Sequence, residues 1–190
     1  NCVACQTLIV PRGWRHTDKL LAAVSNVMSR FGQREAYYPG NEQRIEEFAA
    51  HAGGSDAIDR GLLAPACILA NMDRGDEPWL AQHEVFGTAL AIKSFEYKDA
   101  GSYLESAIAY ANDRLYGTLG ANILIHPKTV REIGRQRFEE LLQKLRYGTI
   151  AVNAWTGLGF LLAPCPWGGF PGGSSRDPQS GIGTVHNSFM

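Results

Sequence analysis

The sequence predicts an α/β domain: a mostly parallel sheet with helices on both faces. Three observations carry that expectation. Short runs rich in Val, Ile, Leu and Ala alternate with longer segments whose apolar residues recur at helical spacing. Several of those longer segments open on Ser or Thr and close on Gly, the usual start and stop of a helix. No Gly/Ser/Pro-rich linker and no internal repeat interrupts the alternation, so residues 1–190 read as a single domain. Strands alternating with capped amphipathic helices make βαβ units, which build parallel sheets.

Taken in order, residues 6–10 form a strand that Pro11 and the turn at Arg12-Gly13 close. Thr17 is placed to cap a helix carrying Leu20, Leu21, Val24, Val27, Met28 and Phe31 on one face, with Gly32 as its stop. A shorter helix over 42–52 turns Ile45, Phe48 and Ala49 inward and ends at Gly53-Gly54. Residues 66–70 make a short strand behind Pro65, and the polar residues 71–77 a loop. Residues 85–95 are mostly apolar and read as a strand buried on both faces, with Gly87 as a point where it can bend.

Ser102-Tyr103-Leu104-Glu105 has capping-box spacing and opens a helix whose stripe is Leu104, Ala107, Ile108, Ala111 and Leu115. Gly117 and Gly120 flank a turn into a strand over 122–126. Thr129-Val130-Arg131-Glu132 repeats the capping-box spacing. That helix carries Val130, Ile133, Leu141, Leu142 and Leu145 and stops near Gly148. Residues 149–153 are the last clear strand. From 157 to 190 Gly, Pro and Ser dominate, and an extended tail is expected.

Composition excludes several classes of function. An apolar share of 45% with 10% aromatics suits a packed core rather than a disordered chain. Eighteen basic and 19 acidic residues, interspersed, give a net charge of −1; with no basic stripe, nucleic acid is not an expected partner. No apolar run approaches the roughly 20 residues that span a bilayer, and the most apolar candidate, 157–167, is broken by Gly and Pro. No secretory leader pattern opens the sequence. Four cysteines in a chain of this length do not make a disulfide framework, so a reducing cytoplasm is the expected setting.

Cys2 and Cys5 form a C-x-x-C pair. A thioredoxin-type pair sits at the start of a helix, which lowers the thiol pKa; here Thr7-Leu8-Ile9-Val10 follows, which is strand chemistry. Zinc needs a second pair of ligands, and neither Cys67, in an apolar strand, nor Cys165, between two prolines, is in a paired arrangement. The plainest alternative is that all four are small buried hydrophobes. His16, His51, His126 and His186 are scattered and have no visible partner.

Four stretches point elsewhere when taken in order. They are Asn1-Cys2-Val3-Ala4-Cys5 running into 7–10, Glu84-Val85-Phe86-Gly87, Asn153-Ala154-Trp155, and Trp167-Gly168-Gly169 followed by Ser180-Gly181-Ile182-Gly183. In this order the chain resembles the catalytic half of an aldehyde dehydrogenase. The resemblance implies that Cys2 is the nucleophile. Its thiolate attacks the aldehyde carbon to give a thiohemiacetal, hydride leaves for a nicotinamide, and water hydrolyses the thioester. The backbone N–H of Cys2 would be one donor to the oxyanion. Glu84 would hold the hydroxyls of the nicotinamide ribose, since a carboxylate can accept two hydrogen bonds at once, and Phe86 would pack near the nicotinamide ring. Trp155, Leu158 and Trp167 would wall the aldehyde pocket.

The motif departs from the family at His83, where another acid is common, at Thr88, where proline is usual, and in the longer interval from Gly169 to Ser180. The cofactor is expected to be NAD or NADP, the substrate an aldehyde, and the full-length protein a homo-oligomer. The resemblance also places the cofactor domain, the general-base glutamate and the oxyanion asparagine outside these 190 residues, so the stretch alone is expected to be inactive. Two other readings stay open: a non-catalytic α/β assembly domain with Cys2 a bystander, and a C-x-x-C thiol redox module.

Overall fold

The computed structural model describes residues 3–30, 37–53, 55–58 and 67–185. They form two compact units, one of residues 4–98 and one from residue 99 onward that also takes in Val3. Cys2, Phe31, Gly32, Gly54 and His186 lie outside the described residues.

The first unit is built on a four-stranded sheet in the order β1-β4-β3-β2. Its strands are β1 (Thr7–Arg12), β2 (Ser55–Ile58), β3 (Cys67–Asn71) and β4 (Ala89–Glu96). β1 and β3 both pair with β4 in parallel, and β2 adds an antiparallel edge. β1 continues through Pro11 rather than closing there. It is an edge strand, and an edge position tolerates a residue with no N–H to donate.

Three helices accompany the sheet: α1 (Thr17–Arg30), α2 (Asn41–His51) and α3 (Glu77–Gln82). Val24 and Met28 of α1 pack with Leu8 and Ile92 against Leu69 and Leu90. Val27, expected on the same face, is exposed instead. Thr17 does not cap α1 through its hydroxyl, which donates to the Pro11 carbonyl at 2.8 Å. Ile45 and Phe48 of α2 are buried as their spacing predicts.

Three further expectations fail in this unit. β2 is not among the strands that the sequence predicts. Residues 71–77 are not all loop: Asn71 ends β3, and Asp76 caps α3, its carboxylate accepting the Trp79 N–H at 3.3 Å. A helix of one and a half turns shows no period, so only its Asp-Glu-Pro start could have revealed it. β4 begins at Ala89, because residues 83–88 are irregular, and only Leu90 and Ala91 of it are buried.

Lys93 of β4 ties this sheet to the loop after β3. Its side chain is 12% exposed, and its ammonium lies 2.8 Å from Asp73 and 2.7 Å from Glu77, while Arg12 reaches Asp73 at 2.9 Å. Burial works against charge on Asp73, but hydrogen bonds from Lys93, Ser94 and Arg12 outweigh it and hold the carboxyl below its ordinary range. Burial likewise opposes charge on Lys93, and Asp73 and Glu77 outweigh it, raising its pKa. The depressed Asp73 value contributes stability that is present above the unfolded-state pKa, about 3.9, and is lost as pH falls through the folded value. The raised Lys93 value contributes below about 10.4 and is lost as pH rises through its folded value. Asp73→Asn is therefore expected to lower the unfolding midpoint at neutral pH and to flatten its fall below about pH 4. Urea unfolding followed from acid to neutral pH measures both, and an unchanged acid limb would show that the network is neutral to stability.

The second unit opens with α4 (Ala100–Arg114) and holds β5 (Gly120–Ile123), α5 (Pro127–Ile133), α6 (Arg135–Gln143) and β6 (Thr149–Val152). β5 and β6 pair in parallel. Leu104, Ile108, Phe138, Leu141 and Leu145 form its core, with Ala121, Ile123 and Ile150 packed against them. Each such side chain stabilises the fold by about 1.5–3 kcal/mol.

Both expected capping boxes are displaced. Asp99, not Ser102, caps α4: its carboxylate accepts the Ser102 N–H at 2.9 Å and the Ser102 hydroxyl at 2.6 Å. His126, not Thr129, caps α5 by accepting the Lys128 N–H at 3.1 Å, with Pro127 in the first turn. The single long helix expected after Thr129 is two, divided at Gly134, whose φ of +90° favours glycine. Residues 157–190 are not an extended tail throughout. They contain α7 (Gly157–Leu161) and an antiparallel pair, β7 (Trp167–Gly168) with β8 (Thr184–Val185). Among the described residues, no helix is long and apolar enough to cross a membrane.

Candidate active site

Parallel pairing of β1 with β4 sets Thr7 opposite Ala91 and Arg12 opposite Glu96. The chain entering β1 and the loop entering β4 therefore meet at the same end of the sheet. The Ala91 N–H donates to the Gln6 carbonyl at 2.9 Å, and the Gln6 side-chain amide donates to Glu84 Oε1 at 3.3 Å. Gln6, four residues after Cys2, is thus brought to Glu84. Cys5, exposed, enters a strand and not a helix, with its thiol 3.5 Å from the Thr7 carbonyl. That setting lacks the helix N-terminus that activates a thioredoxin-type pair.

The loop of residues 83–88 is held from several sides. Val85 is buried, and its carbonyl accepts Arg44 Nε at 2.7 Å. Phe86 adopts φ +53°, uncommon for an aromatic residue, and meets Tyr38 edge to face at 4.8 Å. A side chain at Gly87 would come within 2.5 Å of Asn41 Oδ1, so the Asn41 side chain of α2 would have to shift to admit one. Glu84 itself is exposed. Gln6 occupies Oε1, leaving Oε2 without a partner among the described residues. A carboxylate with an open oxygen at a sheet end has the donor–acceptor chemistry to receive vicinal hydroxyls.

In the second unit, Asn153 follows β6 with φ +54°. Its amide spans the Ile125 backbone, accepting from the N–H at 2.9 Å and donating to the carbonyl at 2.8 Å. Thr156 is buried and its N–H donates to Asn122 at 2.9 Å. Between these anchors Trp155 lies over Gly157, where any side chain would collide with its ring. Trp155 is 54% and Leu158 47% exposed, whereas Trp167 is 7% exposed and packs edge-on against Phe160 at 5.5 Å. Of the three residues expected to wall a pocket, two face outward and one is core. Burial raises the pKa of Tyr103, and pushes that of Tyr147 up to about 12. Both therefore stay protonated near neutrality, and neither is a phenolate base.

The histidines are less isolated than their spacing suggests. His16 accepts Arg15 Nε at 3.0 Å, His126 caps α5, and His51 pairs with Asp76 and stacks on Trp79. His83, four residues on from Trp79, also stacks on its ring.

No family model matches the chain. A putative aldehyde dehydrogenase of Staphylococcus aureus (strain USA300) is 28% identical over 125 residues, covering 65% of this chain and 23% of that protein. Among solved structures, an aldehyde dehydrogenase from Brucella melitensis biovar abortus superposes with a TM-score of 0.66 at 21% identity, covering 100% of this chain and 37% of that one. The fold is that of an aldehyde dehydrogenase catalytic region.

A salicylaldehyde dehydrogenase from Pseudomonas putida, complexed with salicylaldehyde, gives a TM-score of 0.67 at 16% identity over 95% of this chain and 35% of that one. A betaine aldehyde dehydrogenase double mutant from Staphylococcus aureus, in complex with NAD+, gives 0.63 at 21% identity, over 95% and 35%. The chain thus resembles aldehyde dehydrogenases both in its ordered motifs and in its fold. It spans under a quarter of the length of the curated relatives it matches, 23%.

Proposed function

We propose that these residues form the catalytic portion of an NAD- or NADP-dependent aldehyde dehydrogenase that oxidises an aldehyde to a carboxylic acid. The observation that carries the reading is the bond between Gln6 and Glu84, side chains 78 positions apart in the chain. It joins the segment behind the candidate nucleophile to the candidate ribose-binding carboxylate. The aldehyde dehydrogenase fold supports the same assignment.

In this reading the Cys2 thiolate adds to the aldehyde carbon, and its backbone N–H donates to the oxygen that gains charge. The bound nicotinamide supplies the hydride acceptor. Collapse of the thiohemiacetal leaves a thioester on Cys2, which water cleaves to the acid and the free thiol. Glu84 takes ribose hydroxyls on its open oxygen, and Phe86 shields the ring side. Trp155 and Leu158 present apolar surface to the aldehyde, and Trp167 backs them through Phe160 and α7. The full-length protein is a homo-oligomer of the cytoplasm, where free thiols persist. Separated from the cofactor domain and the base, the 190-residue stretch is expected to turn over no aldehyde, because positioning supplies much of the rate.

Glu84→Gln in the full-length protein tests the assignment. The amide keeps the shape and loses charge and one acceptor, so the KM for the cofactor is expected to rise about tenfold or more. The KM for the aldehyde should stay within about twofold. Unchanged cofactor kinetics would remove Glu84 from the site and favour the non-catalytic reading.

A further inference from the structure

Trp79 stands between two histidines. Its ring stacks on His51 with centroids 4.1 Å apart and planes 2° from parallel, and on His83 at 4.2 Å and 8°. His51 ends α2, Trp79 lies within α3, and His83 closes α3. His51 Nδ1 pairs with Asp76 Oδ2 at 3.0 Å. Asp76 in turn caps α3 and donates its own N–H to the His51 carbonyl at 2.8 Å. At the other end, His83 Nδ1–H and its backbone N–H both donate to the Trp79 carbonyl, at 2.9 and 3.0 Å.

A helix this short cannot hold itself together, since nucleation costs more than its few hydrogen bonds return. Its core contacts are Leu80 and Ala81. Trp79 is only half-buried, so filling the core does not account for the stack. The stack joins Trp79 of α3 to the end of α2, Asp76 holds the start of α3 there, and His83 folds back on Trp79 at its other end.

The residue after His83 is Glu84. On its far side, Arg44 of α2 holds the Val85 carbonyl. Glu84 therefore sits on a short piece of backbone held before it by His83 on Trp79, which in turn stacks on His51 of α2, and after it by Arg44 of α2. Among the described residues its own side chain has one hydrogen bond, at 3.3 Å. A flexible exposed carboxylate so lightly held takes its position from its backbone.

We propose that Trp79, clamped between His51 and His83, is a positioning residue that fixes the end of α3 and thereby places the Glu84 carboxylate for the nicotinamide ribose. The proposal rests on the reading of Glu84 given above. Face-to-face aromatic contacts of this kind are directional, so a ring at position 79 matters more than bulk.

The test is a double-mutant cycle in the full-length protein, with Trp79→Leu and Glu84→Gln made singly and together and Trp79→Phe alongside. Trp79→Leu is expected to raise the cofactor KM about tenfold, with the aldehyde KM within about twofold. Trp79→Phe, which keeps a ring, should stay within about twofold of the parent. Combined with Glu84→Gln, Trp79→Leu should add nothing, because the two act through one contact. Full additivity, equal losses from Trp79→Leu and Trp79→Phe, or a fall in kcat without a selective rise in cofactor KM overturns the proposal and leaves Glu84 in place. If Glu84→Gln alone has no effect, the reading of Glu84 fails and the proposal with it. Should Trp79→Leu not fold, His51→Gln and His83→Gln each remove one stacked face and carry the same test, with an expected rise of about threefold.

Discussion

Cys2→Ser in the full-length protein is expected to abolish aldehyde oxidation, with kcat falling on the order of 10⁴-fold or more. A serine hydroxyl at neutral pH is almost wholly protonated, and its alkoxide is a poorer leaving group, so both addition and thioester hydrolysis lose their chemistry. Cys5→Ser makes the comparison decisive. Cys5 is exposed at the entry to β1, and its thiol has only the Thr7 carbonyl as partner among the described residues. It is expected to tolerate serine with activity within about twofold. Equal losses in both variants, with a disulfide that forms and reduces between the two thiols of the parent, would replace the dehydrogenase reading with a thiol redox module. Full activity in Cys2→Ser would make Cys2 a bystander.

The largest structural effect is expected at Gly148. A methyl there would collide with the Gly168 carbonyl oxygen, a backbone atom that cannot swing away like a side chain. The crowding has a purpose. The Thr118 carbonyl accepts both the Gly148 N–H at 2.8 Å and the Phe170 N–H at 3.1 Å, and the Thr149 N–H reaches Leu119 at 2.9 Å. One point thereby fastens the approach to β5, the start of β6 and the turn after β7. Gly148→Ala must push β6 from that turn, at a cost of about 3 kcal/mol or more. In a domain of this size that lowers Tm by roughly 6–12 °C. Gly134→Ala is the control: nothing lies within 4 Å of the added methyl, and only the strained φ of +90° matters, costing about 1–2 kcal/mol. Thermal unfolding of the two variants side by side gives the comparison. Equal shifts would mean that β6 yields to a side chain at 148.

The elements that the sequence marks well are those with enough residues to show a period. The stripe of Leu104 and Ile108 and the pair Ile45 and Phe48 are legible there, and both are buried. Helix starts are displaced because Asp99 and His126 accept the Ser102 and Lys128 N–H groups, so each helix opens ahead of Ser102 and Thr129. Spacing alone does not say which side chain reaches them. α3, α7 and β2 are too short to carry a period, and α7 lies in a stretch whose Gly and Pro content reads as loop.

By itself, the sequence determined the chemistry on offer and the order of its parts: a thiol ahead of a strand, a carboxylate before an apolar run, and tryptophans beside glycines. Composition and periodicity are local properties, and they also set the α/β class. Which strands pair, and where each side chain ends up, was decided only by tertiary structure. Nothing local in 84–87 announces that this loop will meet Gln6. Parallel pairing of β1 with β4 does that, in a register that sets Thr7 opposite Ala91 and leaves Leu90 and Ala91 buried. The same holds for the tryptophans. Trp155 and Trp167 look alike in sequence, yet one lies over Gly157 facing solvent and the other is sealed against Phe160. The clamp on Trp79 also exists only in three dimensions, since a stack of His51, Trp79 and His83 requires the end of α2 to be laid against α3 by the core beneath them.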